Sequence, residues 1–359
     1  MQRTRPPFRA EHVGSLLRPP KLEEARGRFA AGAITADDLR KIEDVEIEKL
    51  AHKQSGYGLK LATDGGFRGA AEQLDFFTAL GGCEPGAAGG EPGSLRVTGK
   101  LEFPDDHPLL SQFKHLQRHA EIAHVTPKLA IPSPALLHWR SGPEAIASEA
   151  YPSLGLFFED LAKTYRRAVK ALYDAGCRYL QFDDPVWAHL CSEAERQMLR
   201  QRGEDAGQLQ QAYTRVINYA IAERPSDIVI TSYAGRGAFR GNWLATGGYE
   251  RVAETLLAGT HYDGYLLEFE PDRAGGFEAL RFLPKGNKTV VLGLIDPSRG
   301  ALERKDDLKR RIAEAAALVP LEQLALSPQS GFAEAGLSED QQWDKLRLAV
   351  EVAQEVWGR

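Results

Sequence analysis

The sequence predicts an α/β fold, a closed parallel (β/α)8 barrel, on three observations. Short β-rich runs alternate with long amphipathic stretches. The alternation repeats eight times. Polar residues gather at almost every run's end. An open doubly wound sheet is the alternative fold, weakened because no G-x-G-x-x-G follows the first run.

Taken in order, strands are expected at 11–15 (EHVGS), 57–66 (YGLKLATDGG), 128–134 (KLAIPSP), 177–185 (CRYLQFDDP), 227–235 (DIVITSYAG), 262–270 (YDGYLLEFE), 288–297 (KTVVLGLIDP) and 324–331 (LALSPQSG). Each reads as buried and precedes helical sequence. Helices are clearest at 36–54, 154–175, 205–222, 302–318 and 338–357. In the second of these, Leu161, Tyr165, Val169 and Tyr173 recur at one-turn spacing. The Gly/Pro-rich stretch 81–94 is a loop, and LRVTGKLEF beside it suits a hairpin strand on the barrel rim. The whole chain, 1–359, reads as one barrel domain.

Composition narrows the partners. There are 45 basic and 50 acidic residues, a formal charge of −5. That balance speaks against nucleic acid. No apolar run reaches a membrane span. The opening MQRTRPPFRA has basic residues without the apolar stretch of a signal peptide. Cys83, Cys177 and Cys191 are scattered, which fits a reducing, cytoplasmic setting and no disulfide framework. A small-molecule substrate is the expected partner, and a homo-oligomer is possible.

In such a barrel, chemistry sits at the carboxyl ends of the strands. Those ends carry Asp64, Asp183, Asp184, Glu268, Glu270 and Asp296. Crowded carboxylates raise one another's pKa, so one serves as acid while another stays ionised. The same acids would suit a hard cation such as Mg2+. A lone Asp after a strand is often only a helix cap, and Asp296 fits that reading. Arg236, Arg240 and Arg273 lie near the rim and suit a carboxylate or phosphate, or else local salt bridges. Trp139, Trp187 and Trp243 would wall an aromatic ring or simply pack in the core. His115 and His119, four apart on one helix face, could hold a metal. No third ligand is evident beside them, so a solvated helix is the plainer reading.

Seven segments resemble the catalytic barrel of cobalamin-independent methionine synthase, and above all its shorter single-barrel relatives. They are RAEHVGSLLRPP, LATDGGFR, LQFDDPVWAHL, RGAFRGNWLATGGYE, GYLLEFEPDRAGGFEALRF, VVLGLIDPSRGALERKDDLKRRI and VPLEQLALSPQSGFAE. They run in the family's order. The resemblance implies a TIM barrel, related in fold to uroporphyrinogen decarboxylase. It implies methyl transfer from 5-methyltetrahydrofolate to homocysteine, with a zinc ion holding the thiol as thiolate.

The family's zinc ligands are a His-x-Cys pair, a Glu and a final Cys. Here the pair becomes Tyr233 and Gly235, with Arg236 and Gly237 keeping the register. The Glu is Glu268 and the final Cys is Ser330. A carboxylate and a serine do not make a tetrahedral N/S site, so zinc is not expected. The glutamate that helps hold the amino-acid substrate is Gly66 here. Asp183, the acid that contacts its amino group, is kept, as are His12, Gly14 and Ser15 of the first substrate-binding turn. Asp183, Asp184, Glu268 and Tyr233 are therefore the expected catalytic residues. His12, Ser15, Asp64, Arg236, Arg273, Trp187 and Ser330 are expected to bind substrate.

Three functions remain open. The first is a zinc-independent one-carbon transferase with an altered substrate, a reduced folate being its possible donor. The second is a metal-free lyase or decarboxylase acting on a carboxylated molecule. The third is a non-catalytic binding protein.

Overall fold

A computed structural model describes residues 3–69, 72–86, 93–236, 238–239, 242–243, 247–270 and 275–358. Helices α1 (Pro20–Ala30) and α2 (Ala36–Gly56) precede strand β1 (Leu61–Ala62) and helix α3 (Glu72–Thr78). Strands β2 (Gly81–Pro85) and β3 (Leu95–Glu102) pair antiparallel as a ribbon. Next come α4 (Pro108–Ile122), β4 (Thr126–Pro132), α5 (Pro134–Ser141), α6 (Leu154–Asp174) and β5 (Tyr179–Asp183). Helices α7 (Val186–His189), α8 (Glu193–Gln201) and α9 (Ala206–Ile221) lead to β6 (Val229–Ala234). A short ribbon of β7 (Ala238–Phe239) and β8 (Asn242–Trp243) follows. The chain ends with β9 (Gly264–Glu268), β10 (Thr289–Ile295), α10 (Lys305–Ala316), β11 (Leu324–Pro328) and α11 (Glu339–Trp357).

Seven strands form one sheet in the order β1-β4-β5-β6-β9-β10-β11, every pairing parallel. This is the curled sheet of a (β/α)8 barrel. Its eighth position differs from the expected strand at 11–15. Only a bridge from Ala10 to Leu326 forms there, with the Glu11 amide donating to the Leu326 carbonyl at 2.9 Å. On the other side, the Leu16 amide donates to the Gly65 carbonyl at 2.9 Å, past the end of β1. The segment therefore spans the seam without a ladder. The physical reason is that side chains take its polar groups. Lys128 Nζ donates to the His12 carbonyl at 2.9 Å, and Gly14 bends the chain with φ +74°.

The expected strand at 57–66 shortens to Leu61–Ala62 for similar reasons. Tyr57 caps α2, and the Thr63 amide donates to Gln54 Oε1 at 3.0 Å. The five expected helices form, within a few residues of the expected ends. Thr35 and Ser338 make capping boxes with Asp38 and Gln341, while Ser153 and Asp205 cap α6 and α9.

Side-chain alternation along the strands separates two cores. Leu180, Phe182, Ile230, Leu292 and Leu326 point outward and pack with helix residues such as Leu161, Tyr165 and Ile217. Inside the barrel the apolar cluster is small: Val13, Tyr233, Leu266, Val291 and Ala325. The remaining interior is polar, with Lys128 Nζ 3.1 Å from Glu11 Oε2 and both side chains almost fully buried. Among the described residues, no helix is long and apolar enough to cross a membrane.

Candidate active site at the carboxyl end of the barrel

Glu268, the last residue of β9, is 2% exposed and sits at the centre of a polar knot. Its Oε1 accepts from the Tyr233 hydroxyl at 2.6 Å and the Ser330 amide at 3.0 Å. Its Oε2 accepts from the Arg236 amide at 3.2 Å. Burial raises the Glu268 pKa, and the three donors pull it back. Burial, then the charge of Glu268, push the Tyr233 phenol well above its ordinary value, so it is a donor.

Tyr249 holds the two strand ends together. Its hydroxyl donates to the Ala234 carbonyl at 2.8 Å and accepts from the Glu268 amide at 3.2 Å. Across the mouth, a Cβ on Gly14 would stand 2.7 Å from Ser330 Cβ. A Cβ on Gly235 would stand 2.2 Å from the Tyr233 hydroxyl oxygen and 2.3 Å from Cζ. Tyr233, Gly235, Glu268 and Ser330 thus meet around one point. The phenol ring covers the place where a side chain at 235 would project.

These residues do not fit the zinc of the family they resemble. They offer one carboxylate, already receiving three hydrogen bonds, and two neutral hydroxyls, with no nitrogen or sulfur donor. The thiols of Cys83, Cys177 and Cys191 are buried in the outer core, and burial raises each to about 12.

Beside the knot lies a cavity of about 190 Å3 between the ends of β1, β4 and β5. Its polar lining includes His12, Asp64, Arg68, Lys128, Gln181 and Asp183. Asp183 accepts from Gln181 Nε2 at 2.6 Å, and burial pushes its carboxyl up to about 6. Asp64 is raised by burial against the Gly66 amide, which donates to its Oδ1 at 3.1 Å. Asp183 and Tyr233 are register partners across β5 and β6, which joins the cavity to the knot.

His12 is fully buried and held neutral, its pKa lowered by burial to about 3. Its tautomer follows from Gln54. The Gln54 amide nitrogen donates to the Leu50 and Thr63 carbonyls at 3.3 and 2.8 Å, so its oxygen faces His12 Nε2 at 2.8 Å. Nε2 therefore carries the proton. Nδ1 keeps its lone pair and has no partner among the described residues.

Several expected site residues lie elsewhere. Asp184 follows Asp183 directly, so its side chain takes the opposite face. It is fully buried in the wall, accepts from Trp187 Nε1 at 2.7 Å, and does not line the cavity. Trp187 is itself fully buried in the outer core and is no wall for a ligand ring. Trp139 is 9% exposed and stacks on His189. Asp296 accepts from the Ser298 amide at 2.8 Å, a local turn bond. Ser15 is half-buried beside the cavity without lining it, and Glu270 is half-buried two residues beyond β9 and does not line the cavity. Arg240, Arg273, Gly237 and the Trp243 side chain lie outside the described residues.

Arg236 is 1% exposed, with its Cζ 4.6 Å from the Tyr249 ring centroid. None of its three guanidinium nitrogens has a hydrogen-bond partner among the described residues.

The sequence reading missed Gln54, Lys128, Gln181 and Arg68. Gln181 had a usable signal: it lies two residues before Asp183 in one strand and so shares its face. Gln54 had none, because it reaches the site from a helix outside the barrel.

The barrel and this polar mouth define an enzyme-like (β/α)8 protein. No protein-family model matches the chain. It is 45% identical to YxjH, an uncharacterized protein of Bacillus subtilis, over 98% of this chain and 95% of the relative. The structure of a Listeria monocytogenes protein, provisionally named a vitamin-B12-independent methionine synthase, superposes with a TM-score of 0.84 at 40% identity. That match covers 99% of this chain and all of the other. A methionine synthase of Sulfurisphaera tokodaii is 28% identical over 178 residues, covering 48% of this chain and 51% of the relative. The chain belongs to the vitamin-B12-independent methionine synthase-like family.

Proposed function

We propose that this chain is a one-carbon transferase of its family that moves a methyl group to a small zwitterionic acceptor without zinc. The observation that carries the reading is the Tyr233–Glu268 hydrogen bond of 2.6 Å over Gly235, a pair suited to handling a proton at the positions where the resemblance implies metal ligands. A carboxylate of raised pKa beside a phenol suits general acid–base work.

The surrounding groups suit an acceptor bearing an ammonium and an acid. Asp183 and Asp64 offer carboxylates in the cavity, and His12 Nδ1 offers a neutral acceptor atom. The buried Arg236 guanidinium has no hydrogen-bonded anion among the described residues, a costly state that a bound carboxylate or phosphate would relieve. In the step itself the acceptor's proton passes to Glu268 as the acceptor–methyl bond forms. The methyl–nitrogen bond of a reduced folate breaks with its electron pair left on nitrogen, and that nitrogen takes up the proton Glu268 received, directly or through water, which returns the carboxylate to its starting state. The family relationship favours transfer over the decarboxylase alternative.

Calorimetry with 5-methyltetrahydrofolate tests the donor: heat of binding is expected, and no heat ends the folate reading. Metal analysis tests the rest. Stoichiometric zinc that disappears in Glu268→Gln would show that the pair holds a metal after all.

A further inference from the structure

Helices α2 and α4 pack side by side outside the barrel. Helix α2 presents Asp44, Glu48 and His52 at successive four-residue steps, and α4 presents His115 and His119 at the same step. The sequence pairs His115 with His119 and offers no third ligand beside them, whereas the structure groups His119 with Glu48 and His52 of α2 and leaves His115 out. One ligand atom each from Glu48, His52 and His119 lie within 4.8 Å of one another. A tetrahedral ion sets such atoms about 3.4 Å apart. Glu48 and His52 are exposed, so both can close that gap by rotamer adjustment.

A second observation points the same way. His119 Nδ1 is shut off from solvent, has no hydrogen-bond partner among the described residues, and lies 3.9 Å from Glu48 Oε1. Burying an unpartnered ring nitrogen is unfavourable unless something binds it. The neighbouring His115 is committed elsewhere, its Nε2 3.0 Å from the Asp44 carbonyl oxygen.

We propose that Glu48, His52 and His119 form a site for one borderline divalent transition-metal ion, such as Zn2+, Ni2+ or Co2+, that clamps α2 to α4. Two imidazoles and one carboxylate select these ions over Mg2+ and Ca2+, which require oxygen shells. The fourth position is left to water. The site is separate from the barrel mouth and independent of the transferase reading.

The test uses the full chain, stripped of metal with a chelator and then titrated with Zn2+ by calorimetry and with Co2+ by visible absorption. One ion per chain is expected, with a rise in melting temperature as the bound state is favoured. His52→Ala and Glu48→Gln should each weaken binding about tenfold or more, as loss of a ligand should exceed loss of an outer-shell contact. Both side chains are exposed, and circular dichroism will confirm the variants fold. Glu268→Gln should bind as the wild type does. Failure of both Zn2+ and Co2+ to bind overturns the site. So does wild-type affinity in both α2 variants. Loss of the ion only in Glu268→Gln would move it to the barrel mouth and overturn the zinc-free transferase reading as well.

Discussion

The ring of Tyr233 occupies the space that any side chain at position 235 would need: a Cβ there would fall 2.2 Å from the hydroxyl oxygen. The two residues sit on the same strand end, two apart, so their side chains compete for one volume. Tyrosine at 233 therefore requires glycine at 235.

Gly235→Ala should overpack this point and destabilise the fold by about 1–3 kcal/mol, read as a drop in melting temperature. In a Tyr233→His background the same change should be nearly neutral. Equal destabilisation in both backgrounds would show that the ring is not the obstacle.

Restoring nitrogen and sulfur donors should restore a thiolate metal site. The triple change Tyr233→His, Gly235→Cys, Ser330→Cys, with Glu268 retained, should bind Co2+ with thiolate charge-transfer absorption. Gly235→Cys alone should not, since one thiol under a tyrosine ring is no tetrahedral set.

Tyr249→Phe should leave the Ala234 carbonyl and Glu268 amide without their shared partner. A loss of about 1–3 kcal/mol in denaturant unfolding is expected. Binding of substrate analogues should weaken with it, because the hydroxyl positions Glu268.

The pH dependence of stability should separate two buried groups. Burial pushes the Asp184 carboxyl from 3.8 up to about 7. Between those values the native state holds a proton the unfolded state has released, so this group makes stability fall as pH rises from 4 to 7. Asp184→Asn should therefore gain on the wild type over that window, by about 4 kcal/mol at most. Burial lowers His138 from 6.5 to about 4. There the unfolded state holds the extra proton, so His138→Gln should lose ground to the wild type as pH rises from 4 to 6.5. Urea midpoints at a series of pH values measure both. Slopes of the reverse sign would refute the burial argument.

His12 should show the Nε2–H tautomer in nitrogen-15 spectra and should not titrate above about pH 4, given its lowered value near 3. Gln54→Glu should raise that value towards neutrality, because a carboxylate then faces Nε2. Unchanged titration in the variant would mean that Gln54 does not control the ring.

Strand–helix alternation and the polar residues that end the strands are local features of the chain, so the barrel and the convergence at its mouth were legible in the sequence. Asp183 as a cavity residue was legible for the same reason. The period-two alternation that sends Asp184 to the other face was also written there, but the repeated acids suggested a pair. What only the tertiary structure decided came from distant segments. The seam at residues 9–16 depends on a lysine from β4. The His12 tautomer depends on a glutamine from α2. The approach of Glu48 and His52 to His119 depends on which helix packs against α4. Side-chain periodicity is set by neighbours in the chain, whereas these contacts are set by how whole elements pack, and a single sequence carries no direct record of that.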